Sequence, residues 1–257
     1  MELTPLPAFN DNYIWMMRVG SRAWVVDPGQ AEPVFAVLRQ TGIELEGILI
    51  THHHGDHTGG VAALRQATGA GVHGPAGEDM PQPCVPHQSG DTIDVMGTPF
   101  LVLHVPGHTA GHIAYFGQPA QQDPLVFCGD TLFSAGCGRL FEGSAAQLHA
   151  SLNALAQLPD PTRVCCAHEY TLGNLRFAAT VEPNNTDVAQ HTQRCIDLRQ
   201  QGSATLPSTL ALEKRINPFL RVHLPTVRSA AMGYDASTPD NPVSVFSTLR
   251  EWKNAHP

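Results

Sequence analysis

The segment THHHGDH, at residues 51–57, constrains this chain more than any other feature, because it places four histidines and one aspartate within seven residues. It directly follows GILI, an apolar run that is typical of a buried strand. On an extended segment, residues i and i+2 point the same way. We therefore expect His52 and His54 to share a face and His53 to point elsewhere.

Asp56 and His57 follow at the point where the chain is predicted to turn into a helix that starts near Thr58. Imidazoles this close would repel one another when protonated, whereas a bound dication takes them in their deprotonated form. Neutral imidazole and carboxylate are ligands for zinc, iron or manganese. The segment therefore predicts metal binding, but it offers too few groups to complete two sites.

Three further candidate ligands stand at the ends of predicted strands. They are His108 in HVPGHTAGH, Asp130 in FCGDT and His168 in CAHEY. Strands that present such groups at one edge of a sheet gather ligands on a rigid frame. The sequence thus offers seven candidate ligands in four separate motifs.

The order of apolar and polar residues predicts an α/β body followed by a helical C-terminal part. Gly42 is predicted to end the helix AEPVFAVLRQTG. Ser144 is predicted to cap the start of the helix SAAQLHASLNALAQLPD. Predicted strands are YIWMMRV, RAWVVDPG, LEGILI, PFLVLHVPG, GHIAYFG, PLVFCGD and TRVCCAHEY. Predicted helices of the body are AEPVFAVLRQTG, TGGVAALRQATG and SAAQLHASLNALAQLPD, and those after about residue 171 are LGNLRFAATVEP, NTDVAQHTQRCIDLRQQG, STLALEKRI and VSVFSTLREWKNA.

Charge supports the same two-part organisation. The formal net charge is −8 over 257 residues, but residues 1–170 carry −10 and residues 171–257 carry +2. A net negative chain argues against a nucleic-acid-binding surface. The six cysteines form no CxxC pair, the N-terminal residues do not resemble a signal peptide, and no apolar run approaches the ~20 residues of a membrane helix. We expect a reduced, soluble, cytoplasmic monomer without a nucleic-acid or membrane partner.

The motifs THHHGDH, PGHTAGH, CGDT and AHEYT, in this order, resemble the signature of the metallo-β-lactamase superfamily. Five further motifs make the chain similar, more narrowly, to the glyoxalase II (hydroxyacylglutathione hydrolase) family. They are DNYIW, GCGRLFEG, HEYTLGNLRFA, INPFLR and LREWK. The resemblance covers nearly the whole chain.

The resemblance implies an αββα four-layer sandwich at residues 1–170, with the catalytic metals at one edge, and a helical substrate-binding domain at residues 171–257. It also implies two divalent metal ions, zinc by default, with iron or manganese as substitutes. Its metal ligands would be His52, His54 and His108 at the first ion, Asp56, His57 and His168 at the second, and Asp130 between the two.

The activity that the resemblance implies is hydrolysis of S-(2-hydroxyacyl)glutathione, typically S-D-lactoylglutathione, in the second step of methylglyoxal detoxification. A metal-bridging hydroxide would attack the thioester carbonyl, and Asp56 and Asp130 would orient it. Substrate would be bound through Arg139, Phe141, Tyr170, Arg250 and Lys253. Some family members carry tyrosine where this chain has Phe141, and lysine where it has Arg139, which can still bind a carboxylate.

Other polar residues near these motifs have simpler interpretations. His53 is expected to bind no metal, His104 to be a strand residue, and His112 to have a structural or ligand-orienting role. Cys128 and Cys137 are expected to be buried, inert thiols.

Competing functions are of two kinds: other enzymes with the same fold, and a protein that binds metal without catalysis. A lactonase, another thioesterase, a β-lactamase, an RNA-processing enzyme or a persulfide dioxygenase would share the fold. A β-lactamase would usually be exported, and a persulfide dioxygenase uses one iron and fewer ligands. A non-catalytic metal-stabilised module would be expected to use cysteine-rich closed sites rather than His and Asp.

Overall fold

The computed structural model of the protein describes residues 1–256. None of the described helices is long and apolar enough to cross a lipid bilayer. The strands are β1 Glu2–Ala8, β2 Asn12–Val19, β3 Arg22–Val26, β4 Glu44–Leu49, β5 Gly71–Pro75, β6 Val85–His87, β7 Thr92–Val95, β8 Thr98–His104, β9 Ile113–Gly117, β10 Leu125–Gly129, β11 Leu132–Phe133, β12 Gly136–Cys137, β13 Arg163–Cys166 and β14 Ser208–Thr209. The helices are α1 Glu32–Thr41, α2 Gly55–Thr58, α3 Val61–Thr68, α4 Ala145–Ala156, α5 Thr171–Val181, α6 Thr186–Gln200, α7 Leu210–Ile216, α8 Pro225–Tyr234 and α9 Pro242–Ala255.

The described chain divides into two compact units. The first contains Met1–His104, Ala110–Gly129 and Cys165–His168, and the second contains Val105–Thr109, Asp130–Val164 and the chain from Glu169 onward. The chain therefore passes between the units several times. This division concerns compactness and does not test the predicted functional boundary after residue 170, which stays a prediction.

The first unit is built on two sheets. The first sheet has the order β1-β2-β3-β4-β5-β6, antiparallel from β1 to β3 and parallel from β3 to β6. The second sheet contributes the order β13-β10-β9-β8-β7, in which β7 to β10 are antiparallel. Parallel pairing places the C-terminal ends of β3 and β4 at the same edge of the first sheet.

The core of the first unit lies on both faces of the first sheet. On one face, Val34 of α1 and Val61 and Leu64 of α3 are buried against apolar residues of the strands. On the other face, side chains connect the two sheets: the hydroxyl of Tyr115, in β9 of the second sheet, donates to Ile50 O, just after β4 of the first, at 2.7 Å. In the same way, Trp15 Nε1 of β2 donates a hydrogen bond to Cys166 O of β13 at 2.9 Å. The first unit is therefore layered as helices, sheet and sheet.

The second unit is mainly helical, as the sequence predicted for the C-terminal part. Its small strands are β11 paired with β12, and β14 paired with the first half of β13. Helix α9 packs against α4 and α8, and α5 packs against α6. One apolar cluster buries residues of the β11–β12 hairpin together with α5, α6 and α7; it contains Ala135, Leu175, Ala178, Val188, Cys195 and Ile216.

Candidate metal centre and substrate site

The THHHGDH segment follows β4 and includes helix α2. His52 Nε2 lies 3.0 Å from His54 Nδ1, so the two imidazoles converge as the alternation predicted. His53 instead pairs with Glu78, whose Oε2 lies 3.0 Å from His53 Nδ1 and accepts the His53 backbone N–H at 2.6 Å. Glu78 Oε1 accepts the Gly111 N–H at 3.1 Å. This carboxylate therefore ties the histidine segment to the loop before β9.

Asp56, His57 and His168 form a compact donor group in the first unit. Their donor atoms all lie within 4.8 Å of one another, and Asp56 Oδ2 is 3.5 Å from His57 Nε2 and 3.4 Å from His168 Nε2. Hydrogen bonding with His168, and then with His57, holds the pKa of Asp56 well below its usual range. Ligands bound at about 2.0–2.1 Å to a tetrahedral ion stand roughly 3.3–3.5 Å apart. The three side chains therefore fit one divalent metal ion.

A carboxylate stands behind each imidazole of this group. Asp27 Oδ2 lies 3.1 Å from His57 Nδ1, and Asp11 Oδ1 lies 2.8 Å from His168 Nδ1. Asp27 is buried at a φ of +52° and accepts both the backbone N–H and the hydroxyl of Thr51, at 2.8 and 2.7 Å. Carboxylates in this position fix the tautomer of a metal-binding histidine and raise its basicity. For His168, which is hydrogen-bonded to Asp11, this presents Nε2 to the donor group.

In the second unit, His108 and Asp130 form a similar pair. His108 Nε2 lies 3.4 Å from Asp130 Oδ2, and His108 Nδ1 lies 2.9 Å from the carbonyl oxygen of Arg139. Gly138 allows this approach, because a Cβ there would lie 1.9 Å from Asp130 O and 3.2 Å from His108 Nδ1. The GCGR motif thus orients His108 by a backbone carbonyl instead of a side chain.

Gly129 closes β10 immediately before Asp130. Its φ is +45°, and a Cβ would lie 2.3 Å from Thr51 Oγ1 and 2.8 Å from the His112 ring. The buried His112 ring also stacks on His52, with ring centroids 4.6 Å apart. His112 therefore supports a ligand candidate by packing, in agreement with its expected structural role, and His104 ends β8 as expected.

Three arginines of the second unit lie close enough to Lys253 for their charges to act on it. Burial, followed by the charges of Arg250, Arg176 and Arg139, lowers the pKa of Lys253. Arg139 is exposed and makes no ion pair with any residue that the structure describes. Lys253 Nζ is 3.4 Å from Gly173 O and 5.8 Å from the ring centroid of Phe177. A lysine whose surroundings hold three further positive charges can attract an anionic ligand.

Arg250 differs from the solvent-facing residue that a terminal helix suggests. Its residue exposure is 5 %, and Nη1 donates to the carbonyl oxygens of Cys137 at 2.8 Å and Gly138 at 3.5 Å. The guanidinium also lies over Phe219, 5.2 Å from the ring centroid. Arg250 therefore anchors the GCGR loop through its guanidinium group.

The two aromatic candidates are accessible. Phe141 is 63 % exposed, and its ring stands edge-on to His108 at 5.2 Å. Tyr170 is 40 % exposed and packs edge-on against Phe133. Cys137 and Cys128 are buried as expected, and burial raises the pKa of the Cys137 thiol.

Comparison with known proteins identifies the family. Residues 9–168 match the family described as Metallo-beta-lactamase superfamily, and residues 169–256 match Hydroxyacylglutathione hydrolase C-terminus. A relative named Hydroxyacylglutathione hydrolase from Albidiferax ferrireducens is 59 % identical over 254 residues, and one of the same name from Pseudomonas aeruginosa is 51 % identical over 257. Each alignment covers 99 % of both chains. The chain belongs to the hydroxyacylglutathione hydrolase family.

Solved structures share the fold of this hydroxyacylglutathione hydrolase family member. ETHE1 from Myxococcus xanthus aligns over all of both chains with a TM-score of 0.65 and 25 % identity. TTHA1623 in a di-iron-bound form aligns over 84 % of this chain and all of that chain, with a TM-score of 0.61 and 28 % identity. The predicted αββα metallo-β-lactamase sandwich with a C-terminal helical part is confirmed. This fold, with its His and Asp groups, implies divalent metal ions.

Sequence reasoning missed three residues of the centre. Asp11 and Asn12 lie in the DNYIW motif but were not predicted to contact a ligand, and Glu78 lies in no motif. The adjacent acid and amide in this motif were the one available signal for the first two. Asp27, which directly follows β3, lies against His57.

Proposed function

We propose that this chain hydrolyses S-(2-hydroxyacyl)glutathione, typically S-D-lactoylglutathione, to glutathione and a 2-hydroxy acid. The observation that carries the proposal is the donor group of Asp56, His57 and His168, with a carboxylate behind each imidazole, in a chain of this family. Supply of the thioester from methylglyoxal by a partner isomerase, and a cytoplasmic, monomeric enzyme, belong to the same proposal. The six free cysteines suit a reducing compartment.

The proposed metal assignment follows the family pattern. We propose that His52, His54 and His108 hold one ion, that Asp56, His57 and His168 hold the other, and that Asp130 contacts both. Zinc suits these nitrogen and oxygen donors, and iron or manganese would also be accepted. The two ions would supply a water of lowered pKa and a Lewis acid for the thioester carbonyl.

The side chains have separate proposed tasks. Asp56 and Asp130 would accept a hydrogen bond from the attacking water and orient it toward the carbonyl carbon. The water loses a proton to solvent as the new C–O bond forms, the C–S bond breaks, and the electron pair of that bond leaves on sulfur. A thiolate is a good leaving group, so the reaction needs no strong general acid.

Recognition of glutathione is proposed to depend on charge. Arg139 and Lys253 would attract its carboxylates, and the anchored Arg250 would add to the positive potential. Phe141 and Tyr170 would offer apolar contact through their exposed rings. The proposed domain division, residues 1–170 for catalysis and 171–257 for substrate binding, is supported by two family matches that meet between His168 and Glu169. Pro257 lies outside the described residues.

The test is a comparison of substrates on protein of known metal content. S-D-lactoylglutathione should be hydrolysed in preference to an aryl ester, a lactone and a β-lactam. Negligible turnover of the glutathione thioester by protein that holds about two metal ions would overturn the proposal. Asp130→Ala should lower bound metal and kcat together, and retention of both would remove Asp130 from the centre.

A further inference from the structure

The turn between β1 and β2 touches the donor group without being part of it. Asp11 Oδ1 lies 2.8 Å from His168 Nδ1. The next residue, Asn12, donates from Nδ2 to Asp56 Oδ2 at 3.1 Å and to Asp56 O at 3.4 Å. Two adjacent residues therefore contact two of the three members of one proposed metal site.

The backbone of this turn is fixed at several points. Ala8 pairs with Asn12 across the β1–β2 ladder, and Asn12 also forms a bridge with His168. The Tyr13 N–H donates to Ala167 O at 2.7 Å. Asn12 is buried, at 8 % exposure. The two side chains are therefore held by the same backbone that carries His168.

The two contacts have complementary chemical effects. The Asp11 carboxylate accepts a hydrogen bond from the Nδ1–H of His168, so the Nε2 lone pair is presented to the donor group. The neutral Asn12 amide occupies one lone pair of Asp56 Oδ2, the oxygen that faces both His57 and His168. A second lone pair of that oxygen stays available for a metal ion, and its direction is fixed.

We propose that Asp11 and Asn12 are positioning residues that set the metal affinity of the Asp56, His57 and His168 site and leave the His52 and His54 site unchanged. The inference rests on the metal assignment proposed above. Outer-shell partners of metal ligands typically change affinity by about 10–100-fold. Neither Asp11 nor Asn12 is one of the proposed metal ligands.

The experiment measures zinc binding to the full-length chain. Metal-free wild type, Asp11→Asn and Asn12→Ala are titrated with zinc against a chromophoric chelator, and metal content is checked after dialysis at fixed free zinc. His168→Ala, which deletes a proposed ligand, identifies which binding event belongs to this site. Both positioning variants should weaken that event by about 10–100-fold and change the other by less than about threefold.

A matched control is available elsewhere in the first unit. Asp91 Oδ2 lies 3.6 Å from His87 Nδ1, and its side chain is 39 % exposed, compared with 40 % for Asp11. Asp91→Asn makes the same chemical change away from the donor group and should alter neither binding event. Asp11→Glu keeps a carboxylate and should recover most of the lost affinity, which a general loss of packing would not.

The outcomes separate this inference from the proposed function. Wild type that binds only one zinc ion would overturn the two-metal assignment itself. Wild type that binds two, with variants that bind both equally tightly or weaken both events alike, would overturn the positioning role alone. Far-UV circular dichroism of the isosteric Asp11→Asn protein reports that the fold is kept.

Discussion

Replacing Asn217 by alanine would test how the second unit holds the turn that precedes the GCGR loop. Asn217 is completely buried, and its Nδ2 donates to Phe133 O at 3.1 Å and Gly136 O at 2.9 Å. Its Oδ1 accepts the Phe219 N–H at 3.1 Å. Alanine would leave these three backbone groups without this partner, and the buried Glu213 carboxylate would lose the bond that its Oε2 accepts from Nδ2 at 3.3 Å.

The magnitude follows from those three groups. A buried polar group that loses its partner costs about 1–3 kcal/mol. Allowing for partial relaxation, we expect Asn217→Ala to lower the free energy of unfolding by about 3–5 kcal/mol. Folded proteins are stable by about 5–15 kcal/mol, so the variant should fold but be marginal.

Asn241→Ala is the matched control. Its side chain also accepts a backbone N–H, from Ser244 at 3.0 Å, but it is an exposed N-cap at the start of α9. Loss of such a cap costs about 1 kcal/mol. Urea unfolding of the metal-free proteins gives both differences, provided that the slopes agree. A loss for Asn217→Ala no larger than that for Asn241→Ala would refute the burial argument.

Three more predictions use other parts of the chain. Lys253→Met should raise KM for S-D-lactoylglutathione about tenfold with kcat nearly unchanged. The control Lys214→Met should change neither KM nor kcat. A loss in kcat alone would contradict a binding role for Lys253. Gly129→Ala should lower the free energy of unfolding by about 2–4 kcal/mol, because φ at this residue is +45° and the new Cβ would lie 2.3 Å from Thr51 Oγ1. An unchanged stability in urea unfolding would count against this clash. Burial lowers the pKa of His73 from 6.5 to about 4, so the unfolded chain binds this proton more tightly. The stability contributed by neutral His73 is complete above pH 6.5 and is lost as pH falls toward 4; urea unfolding of His73→Gln should show a weaker pH dependence than wild type in this range.

Elements with signals inside a few residues were predictable. Helix α1 ends at Thr41, and Gly42 follows at a φ of +67°, as its sequence indicated. Helix α4 begins after Ser144, whose side chain caps it in a reciprocal pair with Gln147. Both signals work through hydrogen bonds and backbone angles at the helix end, so no distant residue is needed.

Several strands and one helix were not predicted. Strand β1 contains Pro5 and Pro7, which cannot donate to a ladder and are tolerated because β1 is an edge strand. Strand β5 contains Gly71, Gly74 and Pro75, which normally indicate turns. Strands β6 and β7 and helix α8 are also absent from the sequence interpretation. In β1 and β5, pairing with neighbouring strands outweighs weak local preference.

The sequence by itself determined which side chains are the candidate ligands and which of them converge locally. The two-residue period of an extended segment places His52 beside His54, and this holds because backbone geometry is local. Only the tertiary structure decided which groups support them. Asp11 reaches His168 across 157 residues, and Arg250 reaches Cys137 across 113. The chain contains 23 acidic residues, and their side-chain chemistry does not say which one packing will bring to a given imidazole.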